Sequence, residues 1–86
     1  MKKVQLKNAI KVSNEDVTEF ELREPTVGDL RAARKGNRDD EIGMALMMFC
    51  RIATPSISPI EAEKIPLSDF ETIGNAIDEL MNPTED

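Results

Sequence analysis

Few side chains in this sequence could carry out covalent or metal chemistry. Cys50 is the only cysteine among the 86 residues, and the chain contains no histidine. A cysteine nucleophile needs a nearby base, whereas the apolar neighbours of Cys50 favour the neutral thiol. Histidine is also the usual partner of cysteine at zinc sites. The sequence therefore disfavours both nucleophilic catalysis and a zinc site.

The densest group of carboxylates is the run Asp39, Asp40 and Glu41. It lacks the alternating oxygen ligands and the glycine of a calcium loop. Acidic residues are common in the first turn of a helix, where the helix dipole stabilises them. The four glycines are scattered singly, so the chain has no glycine-rich phosphate loop. We predict no catalytic residues, no metal site and no cofactor.

A basic stripe could in principle bind a polyanion. It consists of Arg31, Arg34, Lys35 and Arg38, which recur at helical spacing. Cations near the end of a helix also complement its dipole, and this is the commoner role. The net charge of −6 and the absence of Trp and Tyr disfavour binding to free nucleic acid. We predict no nucleic-acid partner, and a small nucleic-acid-associated regulator that uses residues 31–38 is the alternative.

The chain shows no targeting or membrane signal. Met1-Lys2-Lys3 is followed by alternating polar residues and not by the apolar segment of a signal peptide. No apolar run approaches the ~18 residues that a membrane span needs. A lone cysteine fits a reducing compartment. We expect a cytosolic protein of one domain, residues 1–86, with no membrane partner.

Two neighbouring stretches alternate apolar and polar residues, which predicts a β-hairpin over about residues 4–23. Residues 13–16 have a turn composition. A lone hairpin is marginally stable in water, so helices should cover its apolar face. The buried face is predicted to consist of Val4, Leu6, Ile10 and Val12 in the first strand and Thr18, Phe20 and Leu22 in the second.

Helices are predicted after the hairpin, and their starts carry capping signals. The fold class is therefore α+β, with an N-terminal β-hairpin followed by three to four helices in one small domain. The predicted helices cover about residues 26–35, 39–53, 58–64 and 68–81, followed by a polar tail at 82–86. The capping boxes are Thr26 with Asp29, which is imperfect, and Ser58 with Glu61 and Ser68 with Glu71, which are full.

The second helix is apolar on two faces. One stripe begins at Ile42 and includes Phe49, and the other is rich in methionine. Either the hairpin and the last helix cover both stripes, or the methionine stripe is partly open and accepts a partner of variable shape. The methionine stripe consists of Met44, Met47, Met48 and Ile52.

Gly74 interrupts the last predicted helix. A glycine there weakens the helix by ~1 kcal/mol relative to alanine. It can mark a position where another backbone approaches closely. The apolar face of this helix consists of Phe70, Ile73, Ile77, Leu80 and Met81.

The junction between hairpin and helices has a specific pattern, L-R-E-P-T-x-G-D-L. With this pattern the chain resembles the phage tail assembly chaperones of contractile-tailed phages and prophages. The similarity extends to a V-x-x-F-x-L-R approach ending at Arg23, to an apolar middle helix, and to Leu67, Asp69 and Phe70. The motif residues are Leu22, Arg23, Glu24, Pro25, Thr26, Gly28, Asp29 and Leu30.

From the residues alone, the motif is interpreted mainly as structural. Pro25 cannot continue a strand ladder, and Thr26 starts a helix that Asp29 stabilises. Arg23 and Glu24 leave the sheet edge, and they could alternatively form an exposed recognition surface.

The resemblance implies a small non-catalytic protein of the host cytoplasm. It would bind the tape measure protein and keep it soluble, help recruit tail tube protein, and be absent from the mature virion. Related systems also make a longer form by frameshifting. A homo-oligomer is compatible with this role, and a structural tail component that assembles alone is a further alternative.

A protein that masks a long apolar helix needs a hydrophobic groove and a charged exterior. The methionine stripe and the net charge of −6 meet these requirements. The predicted partner-binding residues are Met44, Met47, Met48, Ile52, Leu80 and Met81.

Overall fold

The chain begins with a long antiparallel hairpin. In the computed structural model, which describes residues 2–82, strand β1 (Lys2–Val12) pairs with strand β2 (Glu15–Leu22). The turn between them contains two residues, Ser13 and Asn14, with φ of +52° and +69°. Positive φ at both positions gives the turn a twist that matches that of the strands. The predicted four-residue turn is therefore shorter in the structure.

Strand β1 contains a large bulge. Gln5 pairs with Glu19 and Ile10 pairs with Val17, so residues 6–9 lie opposite Thr18 alone. The bulge interrupts the regular pairing opposite Thr18. Thr18 is exposed and Val17 is half-buried, so the prediction that Thr18 shares a buried face with Phe20 is wrong.

A short third strand and four helices follow within residues 2–82. The sheet order is β1-β2-β3, and both pairings are antiparallel. The predicted α+β class, a hairpin followed by helices, is confirmed. The elements are α1 (Val27–Arg34), α2 (Glu41–Ile52), β3 (Ala53–Thr54), α3 (Pro59–Ala62) and α4 (Leu67–Met81). The predicted tail at 82–86 lies, apart from Asn82, outside the described residues.

Helix α2 lies at the centre of the packing, in contact with α1, α3 and α4. Its Phe49 meets Phe20 of β2 edge to face, with ring centroids 5.0 Å apart and planes at 73°. Such aromatic pairs add about 0.5–1.5 kcal/mol beyond the area they bury. Leu22, Ile52 and Ile73 are also fully buried. Helix α4 packs on β1 and covers the hairpin.

Two predictions, one about the apolar stripe of α2 and one about the cap of α4, are wrong. Ile42, in the first turn of α2, is 60% exposed, although the sequence places it on the apolar stripe with Phe49. Helix α4 begins at Leu67 after Pro66, without a side-chain cap, so the predicted Ser68 capping box does not form. The boxes at Thr26 and Ser58 are confirmed.

Candidate partner-binding groove

An open groove of about 520 Å³ lies between α1, α2 and α4. Its floor is mainly apolar. Thioether side chains contribute much of the floor, and they adapt easily to different partner shapes. The floor is lined by Met44, Ala45 and Met48 of α2, by Phe70, Ile77 and Met81 of α4, and by Leu30 of α1.

The sequence of α1 and α4 explains why the groove stays open. Helix α1 is short, and Ala33 is its only fully buried apolar residue. Gly74 lies on the α4 wall of the groove, and a Cβ atom built there would meet nothing within 4 Å. A small helix on one side and a missing side chain on the other leave space that an apolar partner can fill.

The groove contains three of the six predicted partner-binding residues. Met44 is half-buried, Met48 is 3% exposed and Met81 is 40% exposed. Met47 and Leu80 are half-buried and lie outside the groove lining. Ile52 is 1% exposed and, unlike Met48, does not line the groove, so it lies in the core of this structure.

The rim of the groove is mostly acidic. Glu41 belongs to α2, Glu71 and Asp78 belong to α4, and Arg34 of α1 is the one cation that the described part of the chain supplies to the lining. Within residues 2–82, the three carboxylates make no ion pair and no side-chain hydrogen bond. The groove therefore carries a net negative rim around an apolar floor.

The junction motif forms an ion-pair network beside α1. Asp29 is 1% exposed and accepts hydrogen bonds from both Nη atoms of Arg23, at 2.7 and 3.1 Å. Arg51 Nε donates to the same carboxylate at 2.9 Å, and the Thr26 N–H donates at 2.8 Å. Arg23 above all, and then these other donors, hold the pKa of Asp29 far below its usual value.

These contacts link three parts of the chain. Arg23 follows β2, Asp29 lies in the first turn of α1, and Arg51 lies in the last turn of α2. Pairing with Asp29 also raises the pKa of Arg23. The sequence predicted the Thr26 cap, but it gave no indication that Arg23 and Arg51 share Asp29. Leu22 is buried beside the network, and Glu24 is exposed.

A second buried carboxylate, Asp69 of α4, binds the bulge of β1. It accepts the backbone N–H groups of Lys7 and Asn8, at 2.8 and 3.1 Å, and the side-chain amide of Asn8 at 3.0 Å. These donors, led by the Lys7 N–H, lower the pKa of Asp69. The interruption of the apolar alternation at Asn8 was the available sequence signal. Asp69 therefore replaces the ladder partners that the bulge removes.

A third carboxylate, Glu61, connects α3 to the tip of the hairpin. It accepts the Ser13 N–H at 2.9 Å and completes the capping box with Ser58. These hydrogen bonds, with that from Ser13 as the largest cause, lower its pKa. The tip of the hairpin and the bulge of β1 are thus both attached to later helices.

The other candidate sites have simple surroundings. Cys50 is half-buried. Burial is the larger cause of the raised pKa of its thiol, and the negative charge of Glu61 is the second. The basic stripe at 31–38 is exposed, and Arg34 also lines the groove. No cluster of metal-ligating side chains is found in residues 2–82. Among the same residues, every buried side-chain nitrogen or oxygen has a hydrogen-bond partner.

Comparison with known proteins identifies the family. The model of the family described as "Phage tail assembly chaperone proteins, E, or 41 or 14" matches residues 3–82. The match covers almost all of the 86 residues, so the chain belongs to this family of phage tail assembly chaperones. No curated protein and no solved structure matches the chain significantly. Within the described range, no helix has the length and apolarity to cross a membrane.

Proposed function

We propose that this protein binds the tape measure protein during tail assembly and keeps it soluble without catalysing a reaction. It acts in the cytoplasm of the bacterial host and is absent from the mature virion. The single observation that carries the proposal is the open apolar groove between α1, α2 and α4. Membership of the tail assembly chaperone family supports it.

The groove fits the physical problem that such a partner presents. A long helix with an apolar face aggregates unless that face is covered. Met44 and Met81 offer adaptable apolar contacts for successive turns of a helix, and the buried Met48 supports the floor between α2 and α4. The net charge of −6 keeps a complex dispersed by repulsion. Tail tube protein, which finally encloses the tape measure, is the proposed second partner.

The proposal is tested by co-expression with the tape measure protein of the same phage. The wild-type chain should keep the tape measure soluble and co-purify with it. Met81→Asp, at an exposed position of the groove, should shift the tape measure to the insoluble fraction. Ile60→Asp is the matched control, because Ile60 is 73% exposed on α3 outside the groove.

Two results would reject the proposal or its site. A tape measure that stays insoluble beside the wild-type chain, or that does not co-purify with it, would reject the function. Equal solubility with Met81→Asp and Ile60→Asp would leave the function in place and remove Met81 from the binding surface. Circular dichroism of both variants confirms that each has folded.

A further inference from the structure

Gly74 has no structural explanation within the described chain. Glycine in a helix interior is unfavourable relative to alanine. Gly74 does not have the positive φ found at Gly36, and its Cβ position is open space. Gly43 of α2 differs, because a Cβ there would lie 2.5 Å from Asp40 Oδ2 and 2.7 Å from Asn37 Oδ1. The close approach of a partner's backbone therefore explains the glycine at position 74 better than packing within the chain does.

The charges around Gly74 indicate the chemistry of what approaches. Glu71 and Asp78 lie on the same helix, one turn before and one turn after Gly74, and all three line the groove. Glu41 of α2 also lines the groove, and among residues 2–82 Arg34 is the one cation of the lining. Three carboxylates that have no ion-pair partner among residues 2–82, beside an apolar floor, favour an apolar segment with cationic flanks.

The dimensions of the groove indicate a helix. The lining residues of α4 extend from Phe70 to Met81, which at 1.5 Å per residue corresponds to about 16 Å. That length matches about three helical turns. Helix axes approach most closely where the side chains at the contact are small.

We propose that the groove receives two to three turns of an amphipathic helix from the partner, with a small residue packed on Gly74 and Lys or Arg beside Glu41, Glu71 and Asp78. This inference rests on the proposed function and specifies the binding segment. The bound helix crosses α4 at Gly74, where its backbone comes closest. Its apolar side chains cover Met44, Met48 and Met81.

The steric part is tested by substitutions at Gly74 in the full chain, co-expressed with the tape measure protein. Gly74→Ala should raise Tm and still weaken co-purification, and Gly74→Leu should reduce the co-purified amount by about tenfold or more. Gly28→Leu is the matched control. Gly28 is an exposed helical glycine outside the groove, where a Cβ makes only an ordinary 3.7 Å contact with Thr26 Oγ1.

The electrostatic part is tested by reversing charges. The double variant Glu71→Lys/Asp78→Lys should also weaken co-purification by about tenfold, with a smaller difference at high salt. Glu15→Lys/Glu63→Lys changes the net charge equally at exposed positions outside the groove and should behave as wild type.

The outcomes separate the inference from the proposed function. If the wild-type chain does not co-purify with the tape measure, the function fails and the inference falls with it. If the wild-type chain co-purifies and Gly74→Leu does so equally, the helix-in-groove inference is wrong while the function stands. An equal yield with the acidic double variant would overturn the cationic flanks. Self-association of the wild-type chain that Gly74→Leu abolishes, with tape measure binding unchanged, would assign the groove to a second copy.

Discussion

Arg23 and Asp29, which lie on either side of Pro25 in the sequence, form a bidentate ion pair. Arg23 Nη1 lies 2.7 Å from Asp29 Oδ2, and Arg23 Nη2 lies 3.1 Å from Asp29 Oδ1. Arg51 binds the same carboxylate from α2, and its backbone carbonyl accepts a further hydrogen bond from Arg23 at 3.0 Å. The pair therefore fixes the direction in which the chain leaves the sheet and enters α1. It gives the arginine and the aspartate of the junction motif a shared physical role.

Asp29→Asn should lower the free energy of unfolding by about 2–3 kcal/mol, because the amide has one acceptor oxygen in place of two and no charge to balance the two guanidinium groups. Urea denaturation measures the change. Asp16→Asn is the control, since Asp16 forms an exposed pair with Lys11 at 3.1 Å and should change stability by no more than about 0.5 kcal/mol. Equal losses in the two variants would contradict the role assigned to Asp29.

The stability of the protein should fall in acid. The pKa values of Asp29, Asp69 and Glu61 are lowered in the folded state, so below about pH 4 the unfolded chain binds more protons than the folded chain. The stabilisation is thus complete above the unfolded pKa values and is lost as pH falls through the folded ones. We expect a nearly constant Tm between about pH 7 and 5 and a steep decrease below about pH 4.

Thermal unfolding at a series of pH values measures this dependence. The curve for Asp29→Asn should be flatter than that of the wild type at acid pH, because one of the three shifted carboxyl groups is absent. A parallel curve displaced by a constant amount would show that the Asp29 carboxylate does not contribute to the acid response.

Asp69→Asn should loosen the bulge of β1. The single amide oxygen cannot accept hydrogen bonds from all three donors, which are the backbone N–H groups of Lys7 and Asn8 and the side-chain amide of Asn8. The amide NH₂ of the variant would also face one of these N–H groups. The backbone amides of Lys7 and Asn8 should then exchange hydrogen faster than in the wild type. Asp78→Asn, on the exposed side of the same helix, should leave these exchange rates unchanged. Unchanged protection in Asp69→Asn would mean that the carboxylate does not hold the bulge.

Two helical glycines should respond oppositely to alanine. Gly74→Ala should stabilise the isolated chain by about 0.5–1 kcal/mol through helix propensity, since its Cβ meets nothing. Gly43→Ala should give no gain or a net loss, because its Cβ would displace the Asp40 carboxylate that caps α2 by accepting the Gly43 N–H at 2.9 Å. Urea denaturation of both variants tests the difference, and equal gains would contradict the crowding at Gly43.

The Cys50 thiol should react slowly with disulfide reagents. Burial raises its pKa, so the thiolate fraction at neutral pH is smaller than in the unfolded chain. The pH at which the reaction rate rises should therefore be higher for the native protein than for the protein in denaturant. Coincident pH profiles in the two conditions would contradict a raised pKa.

Local signals in the sequence predicted most of the secondary structure. Thr26 and Ser58 cap helices as their spacing indicated, and Asp40 caps the helix that the acidic triplet opens. Gly36, with a φ of +81°, follows α1, which ends close to the predicted residue 35. These features depend on residues within one helical turn, which a sequence pattern displays directly.

Long-range partners could not be predicted in the same way. Ser68 and Glu71 have the spacing of a capping box, but α4 begins earlier, at Leu67 after Pro66. Asp69 accepts a hydrogen bond from Lys7 of β1, 62 residues earlier in the chain. Arg51 joins Asp29 across 22 positions. The sequence also could not show that Ile52 is fully covered while Met81 is exposed, because burial depends on how α2 and α4 pack.

The bond from Asp69 to the bulge has a consequence for synthesis on the ribosome. The strand that emerges first receives its carboxylate partner from one of the elements that emerge last. Until residue 69 has been translated, the N–H groups of Lys7 and Asn8 lack that partner, and the nascent hairpin must exist without it. Maturation of the fold is therefore a late event in translation, when α4 reaches the first strand.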